Sequence, residues 1–230
     1  MYSHIAPLGA AFIPARAARE IRAHPRWLLP LILIVLLNAA FELISHPVRV
    51  QQTIAHIPHS ATPGELETVR TDLDASLPGD LAILPLKIAT AGALDAAVLG
   101  LLLAGFGAGD RPRFAHLFAL SLGLASVGAL EGLAEVTYLR TFSFPAGLPA
   151  YPWSALAITS AGDSYAAGLL LTSLNLFTLW YVVALAWALS VLCGIRKSKA
   201  VLIAIAVRAV TAGSTIALLH LLRNAYAFTI

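Results

Sequence analysis

Two glutamates lie four residues apart in an otherwise apolar stretch of the chain. Residues 128–140 read GALEGLAEVTYLR, which places Glu131 and Glu135 one turn apart on one face of a helix. Two carboxylates at that spacing can act as general acid and base, bind a cation, or hold neighbouring helices together through hydrogen bonds. Which chemistry applies depends on the elements that surround the two acids.

The composition predicts that these elements lie in a membrane. The chain has 230 residues, of which 59% are hydrophobic and 12% charged, and its mean hydropathy is +0.81. Soluble domains are roughly 45–50% apolar and about 25% charged. We therefore expect an all-α, polytopic protein of the inner (cytoplasmic) membrane, with membrane lipids as partners. The net charge of +3 forms no basic patch or RNA-binding motif, so nucleic acid is not an expected partner.

Five apolar windows have the length that a helix needs to cross about 30 Å of hydrocarbon. They predict a bundle of five transmembrane helices within residues 27–222, each expected to be unbroken. The windows are residues 27–45, 81–107, 114–139, 166–194 and 199–222.

Two predicted extracytoplasmic loops have features of their own. In residues 46–80, Thr62 and Glu65 form a capping box, which predicts a short amphipathic helix in the first loop. The later stretch TFSFPAGLPAYPW contains several aromatic residues, among them Tyr151 and Trp153, and predicts an interfacial loop because such rings favour the headgroup region.

Residues 1–26 are predicted to form a cytoplasmic amphipathic segment. Ile13, Ala17 and Ile21 share one face, which we expect to rest on the membrane while arginines meet anionic lipid. The basic residues of this segment and of the turn before the fifth window are candidates for partner binding. These candidates are Arg16, Arg19, Arg22, Arg196, Lys197 and Lys199.

The distribution of lysine and arginine in the short loops predicts the orientation, because cytoplasmic loops carry the excess of positive residues. One side holds nine such residues and the other four, so we expect the N-terminus in the cytoplasm and the tail 223–230 outside. The nine are Arg16, Arg19, Arg22, Arg26, Arg111, Arg113, Arg196, Lys197 and Lys199, and the four are Arg49, Arg70, Arg140 and Arg223.

Three stretches resemble the Yip (Ypt-interacting protein) membrane family, in its prokaryotic branch. They are HPRWLLPLILIVLL, GFGAGDRPRFAHLFALSLG and SLNLFTLWYVVALAWALSVLCGIRKSKAVLIAI, which extend over most of the chain. The resemblance implies five membrane helices with a cytosolic N-terminus and a role as a non-enzymatic membrane adaptor or organising protein. Eukaryotic relatives bind prenylated small GTPases and have a long hydrophilic N-terminal region, whereas this chain has only about 25 residues before the first window.

Polar residues within the windows predict two layers at a rise of about 1.5 Å per residue. At mid-depth, Asp95 and Arg208 are expected to pair. Nearer the outside, Lys87 is expected to lie between Glu131 and Glu135, and two acids in excess must be protonated or compensated by a cation or water. The outer layer comprises Glu42, Lys87, Glu131, Glu135, Asn175 and His220.

Three interpretations of these polar residues stay open on the sequence. They are interhelical locks, an outward-facing polar cavity that holds a headgroup, a proton or a cation, or a catalytic carboxylate pair. No motif for a nucleophile, a metal site or a cofactor accompanies the acids, so we expect no enzyme, metal or cofactor. The alternative to an adaptor is a transporter or lipid-handling protein with a cavity built on Glu131, Glu135 and Lys87; a membrane or cytosolic protein partner and self-association stay open.

Overall fold

The described part of the chain is helical. A computed structural model describes residues 6–55, 57, 62–107, 112–141, 151–155 and 165–227. No β-strand occurs within these ranges, which confirms the all-α prediction. An N-terminal 3₁₀ helix, Ala6–Ala11, precedes the α-helices. These are α1 (Pro14–Ala23), α2 (Leu28–Ala55), α3 (Pro63–Gly105), α4 (Phe114–Thr141), α5 (Tyr165–Ser173), α6 (Leu176–Leu192) and α7 (Lys197–Ala227).

Three of the helices are long and apolar enough to cross a membrane. They comprise Leu28–Ile54 of α2, the whole of α3 and Phe114–Tyr138 of α4. Their outward surfaces carry large apolar side chains, such as Leu86 with 70% and Leu101 with 74% exposure. Water disfavours such a surface, whereas acyl chains match it. The architecture is therefore compatible with a membrane-embedded protein.

Helix α4, which carries Glu131 and Glu135, lies at the centre of the bundle. It packs against α2, α3, α6 and the N-terminal 3₁₀ helix. Its buried leucines, including Leu117 and Leu120, share one core cluster with alanine-rich faces of α3, α6 and α7. Small residues allow helices to approach closely, so dispersion contacts stabilise the cluster. Both glutamates thus project from a helix surrounded by other elements.

The predicted extracytoplasmic segment at 46–80 is not a loop with a separate helix. Helix α3 has 43 residues without interruption, so the predicted short helix and the predicted span at 81–107 are one helix. Helix α2 likewise continues past its predicted end to Ala55. The two extensions lie side by side, and His46 Nε2 is 2.8 Å from the Asp74 carboxylate. The structure therefore corrects this segment to the extended ends of a helical hairpin.

An apolar stripe explains why two prolines do not end α3. Pro78 and Pro85 each remove one backbone hydrogen bond, and both lie on the exposed side of the helix. The stripe continues past both prolines at spacings of three and four residues, so packing of this face outweighs the local penalty. Its buried and half-buried members are Leu66, Val69, Leu73, Leu77, Leu81 and Leu84.

The predicted start of that helix is confirmed. The Thr62 hydroxyl accepts a hydrogen bond from the Glu65 N–H at 3.3 Å, and the Glu65 carboxylate accepts one from the Thr62 N–H at 2.7 Å. Hydrogen bonds from the Thr62 backbone and hydroxyl favour the ionised acid and lower the pKa of Glu65. The capping box therefore forms as its sequence pattern indicates.

The N-terminal 3₁₀ helix inserts between α4 and α6. A Cβ atom at Gly123 would lie 1.9 Å from the carbonyl oxygen of Pro7, so only glycine permits this close approach. The Trp180 indole N–H donates a 2.7 Å hydrogen bond to the Ala11 carbonyl, and its ring meets Phe12 edge-on. The start of the described chain is thus held inside the bundle.

Helix α1 follows this insertion and packs on the protein. Ala17 and Ile21 are buried at 3% and 0% exposure in the core cluster, whereas Ile13 stays exposed. The prediction that this face rests on lipid is therefore wrong for Ala17 and Ile21. The physical reason is that the small side chains on this face of α1 pack against α6.

Candidate functional site

The predicted fourth span, residues 166–194, is broken inside its apolar stretch. Helix α5 ends at Ser173 and α6 begins at Leu176, which corrects the expectation of one unbroken helix. Asn175 is the N-cap of α6, and its side-chain oxygen accepts a 2.8 Å hydrogen bond from the Thr178 N–H. Because lipid offers no hydrogen bonds, a helix end in such a stretch needs partners of this kind.

Residues 151–155 supply further backbone partners at the break. The Ala155 N–H donates to the Leu174 carbonyl at 2.8 Å, and the Leu176 N–H donates to the Trp153 carbonyl at 3.1 Å. These bonds satisfy groups that the interruption of the helix leaves free. The break is therefore fixed by specific contacts from a separate segment of the chain.

Aromatic packing buries the same short segment. The rings of Tyr151 and Trp153 stack with centroids 5.2 Å apart, and Trp153 meets Phe177 of α6 edge-on at 6.1 Å. Tyr151 is only 6% exposed. Residues 151–155 therefore pack on the helices and pair with the break, and their predicted headgroup position stays a prediction. The other aromatic residues of that loop, at 142 and 144, lie outside the described residues.

The break brings together three members of the predicted outer layer. The Asn175 amide donates a hydrogen bond to Oε1 of Glu131 and another to the Thr172 carbonyl at 3.1 Å. Glu135, one turn along α4, interacts electrostatically with Glu131 and faces Tyr151. Both acids are half-buried. Asn175 thus joins the N-terminus of α6 to the first of the two carboxylates.

Arg208 of α7 connects the same helix end to the predicted mid-depth layer. Its guanidinium donates a 3.1 Å hydrogen bond to the Thr178 hydroxyl and lies 5.8 Å from the centre of the Tyr181 ring. The Tyr181 side chain interacts with the Asp95 carboxyl. Arg208 interacts electrostatically with both Asp95 and Glu131.

The predicted Asp95–Arg208 pair takes an indirect form. No guanidinium nitrogen of Arg208 lies within 4.0 Å of a carboxylate oxygen among the described side chains, and Tyr181 contacts both partners. The positive charge is therefore shared between two acids across a space rather than locked to one of them.

That space is a cavity of about 260 Å³. It is walled by α2, α3, α4, α6 and α7, and most of its lining is apolar. Three charged groups line it, namely Asp95, Glu131 and Arg208, together with Ser121 and Tyr181. A mostly apolar wall with a few convergent polar groups is typical of small-molecule sites.

Two polar atoms on the cavity wall have unused hydrogen-bonding capacity. Within the described part of the chain, Nε of Arg208 and Oγ of Ser121 are buried and have no hydrogen-bond partner. Ser121 is only 3% exposed. Buried polar groups nearly always have partners, and water or a solute beside these two residues would supply them.

Two predicted members of the outer layer lie elsewhere. Lys87 is exposed and donates a 3.2 Å hydrogen bond to Asp80, so its predicted position between Glu131 and Glu135 is wrong. Glu42 pairs with Arg49, two turns further along α2. Depth in the membrane fixes the height of a residue but not its direction around the helix axis, and both side chains point away from the cavity.

A polar stripe on α6 was missed by the sequence analysis. Asn175, Thr178 and Tyr181 recur at three-residue spacing and contribute the cap, a hydrogen bond to Arg208 and a contact with Asp95. Such a stripe in an apolar helix marks a face turned away from lipid, so it is a sequence signal for this site. Ser121 stands alone in its stretch and gives no comparable signal.

The basic partner-binding candidates lie near the ends of α1, α6 and α7, and most are exposed. Lys199 is half-buried and donates to the Gly107 carbonyl at 3.5 Å, and Lys197 lies 5.6 Å from the Trp187 ring centre. These contacts tie the turn before α7 to the bundle. The exposed members are Arg16, Arg19, Arg22, Arg196 and Lys197.

The last member of the predicted outer layer is His220, whose side chain lies outside the described residues. Among the side chains that are described, no three of His, Cys, Asp or Glu come together as metal ligands. Comparison with protein-family models, with curated proteins and with solved structures finds no match. The site is therefore interpreted from its own geometry.

Proposed function

We propose that this chain is a membrane transporter that binds a small polar solute in the cavity between α3, α4, α6 and α7. The observation that carries the proposal is the cavity itself, which presents Asp95, Glu131 and Arg208 inside an otherwise apolar bundle. Charged groups at such a depth are unfavourable unless they are paired, hydrated or used for binding. Their convergence on one space supports binding.

The break between α5 and α6 supports the same function. Interrupted membrane helices place polar helix ends and side chains at the binding sites of many transporters. Here the N-terminus of α6, its cap Asn175 and Glu131 lie next to the cavity. Backbone pairing with residues 151–155 stabilises the break, so it is a built feature of the fold.

The volume of the cavity favours a solute over a lipid. Sites for drug-sized ligands occupy roughly 300–1,000 Å³, and about 260 Å³ is below that range. A phospholipid does not fit such a space. Of the two alternatives to an adaptor, the transporter therefore agrees better with the geometry than lipid handling.

The proposed topology has five spans, with α5 and α6 together as the fourth and α7 as the fifth. The 31-residue length of α7 supports its role as a span. The nine-to-four distribution of basic residues supports a cytoplasmic N-terminus.

A membrane adaptor of the Yip type is the second candidate, and one observation favours it. The arginines of α1 and the basic turn before α7 present an exposed cationic surface near one end of the bundle. Acidic segments of a partner protein or anionic lipid match such a surface. This function uses the outside of the bundle and leaves the cavity unexplained.

Accessibility of the cavity to a dissolved reagent tests the transporter proposal. Ser121→Cys is made in a Cys193→Ala background, which removes the chain's single cysteine. We expect the new thiol to react with a small methanethiosulfonate in reconstituted protein, and faster with an ammonium-bearing reagent than with a sulfonate, because acids predominate in the cavity.

Ala119→Cys in the same background is the matched control. Ala119 lies two residues away on α4 and is fully buried in the core cluster outside the cavity. We expect it to react at least about tenfold more slowly than Ser121→Cys, because the thiol must meet the reagent in water. Equal inertness of the two cysteines in folded protein would rule out a solute-accessible cavity.

A further inference from the structure

We propose that the solute is a small organic monocation that carries a primary ammonium group and one hydrogen-bond-accepting oxygen, the chemistry of a short amino alcohol. The inference rests on the proposed function and adds the class of ligand. It follows from the charge of the cavity wall, from its unused hydrogen-bonding atoms and from its size.

With both acids ionised, the charge of the wall favours a net positive ligand. Asp95 and Glu131 face a single cation, Arg208, so the three groups sum to one negative charge when ionised. Lys87, the cation that was predicted to lie between Glu131 and Glu135, points away and pairs with Asp80. A monocation neutralises the wall, a zwitterion leaves it negative and an anion makes it more negative; in a low-dielectric site these differences are large.

Glu131 is the carboxylate that such an ammonium group would meet. Asp95 interacts with both Tyr181 and Arg208. Glu131 also interacts with Arg208, but its hydrogen-bond partner is Asn175, which occupies Oε1 and supplies no full charge. The N-terminus of α6 offsets part of its charge, and an ammonium group offsets the rest through a charge-assisted hydrogen bond.

The unused donors require an acceptor on the same ligand. Nε of Arg208 can only donate, and Oγ of Ser121 can donate or accept; both are buried without a partner. A hydroxyl or ether oxygen accepts from the guanidinium without adding negative charge. A simple alkylamine leaves these two atoms unsatisfied, which is unfavourable for its binding.

The size of the cavity sets an upper limit on the ligand. A volume of about 260 Å³ accommodates a molecule of a few heavy atoms together with water and excludes nucleotides and intact lipids. Ethanolamine carries both required groups within this limit.

The test compares three probes on the purified full chain in nanodiscs at constant ionic strength. Ethanolamine carries both groups, propylamine lacks the oxygen and glycine replaces it with a carboxylate that cancels the positive charge. We expect ethanolamine to bind at least about tenfold more tightly than either, measured by calorimetry and by the ligand-induced shift of the melting temperature.

Two variants test the assigned contacts. Glu131→Gln should lower the affinity for ethanolamine by about tenfold or more, because the charge partner of the ammonium group is lost. Ser121→Ala removes one donor with little change in shape, so it should lower the affinity for ethanolamine but not the affinity for propylamine. It serves as the second readout if Glu131→Gln does not fold. Glu42→Gln is the control, because Glu42 pairs with Arg49 and does not line the cavity.

Each outcome supports or overturns the inference. Glycine binding as tightly as ethanolamine, propylamine matching ethanolamine, or a Glu131→Gln affinity equal to wild type would overturn the assigned ligand class. If no probe binds while Ser121→Cys still reacts with reagent, the cavity is accessible and only the ligand class is wrong. If Ser121→Cys is also inert, the proposed function itself fails.

Discussion

Replacing Arg208 with alanine is expected to lower the free energy of unfolding by roughly 3–5 kcal/mol, the loss usual for breaking a buried charge pair, because Asp95 and Glu131 lose the cation that they share. Asp95→Ala should cost less, because Arg208 then still faces Glu131. Loss of Arg208 also removes the hydrogen bond to Thr178 and the contact with the Tyr181 ring. Equilibrium unfolding in detergent measures the effect.

The double variant separates a coupled pair from two independent losses. We expect Asp95→Ala with Arg208→Ala to recover at least about 1 kcal/mol of the summed single losses, because the carboxylate and the guanidinium that interact are then removed together. The exposed pair of Glu42 and Arg49 within α2 is the control, and its removal should change stability by less than about 1 kcal/mol. Strictly additive losses for Asp95 and Arg208 would show that the two charges do not interact.

Gly123→Ala is expected to displace the N-terminal segment. The added methyl group would lie 1.9 Å from the Pro7 carbonyl oxygen, a distance that no side-chain rotation relieves because the obstacle is backbone. Overpacking of this kind lowers stability by about 1–3 kcal/mol. Release of the segment should also let α1 unfold locally, so that trypsin can cleave at its exposed arginines, and the rate of N-terminal cleavage is the second readout.

Gly128→Ala on the same helix provides the matched control. Its added Cβ meets nothing within 4 Å, and alanine is the better helix former by about 1 kcal/mol. We expect unchanged proteolysis and equal or greater stability. If the two alanine variants are cleaved at the same rate as wild type, the 3₁₀ helix does not pack on α4.

Helical content and capping are predictable from the sequence because they depend on local spacing. The bounds of α4 lie within about two residues of the predicted window. The capping box at Thr62 also formed as expected. The predicted boundary between the loop 46–80 and the span 81–107 was wrong, because the apolar stripe of α3 continues across it.

The break between α5 and α6 was not predicted, because the sequence around it is apolar. Asn175 is a favoured N-cap residue, but it stands within an apolar run long enough for a single span, and length decided the prediction. Nothing near Asn175 in sequence reveals that residues 151–155 pair with the break. Such a contact belongs to tertiary structure, and only the stripe formed by Asn175, Thr178 and Tyr181 points to it.

The depth of a residue in its predicted span indicated part of the candidate site but not the direction of each side chain. Glu131 meets Asn175 of the same predicted layer, and the structure also joins this layer to Asp95 and Arg208, which were predicted to lie deeper. The prediction for Lys87 was wrong because this residue lies about 140° around the axis of α3 from the buried face, at about 100° per residue. The position of the 3₁₀ helix could not be predicted either, since it depends on a glycine in another helix.

An experimental density map of the protein in nanodiscs with ethanolamine tests the central claim most directly. The account predicts density for a small molecule between Glu131 and Arg208, within hydrogen-bonding distance of the Glu131 carboxylate and of Arg208 Nε. It also predicts that the break at Asn175 is retained. A map in which Arg208 pairs directly with Asp95 or Glu131 and side chains fill the space between them would contradict the account, because no site for a solute would then exist.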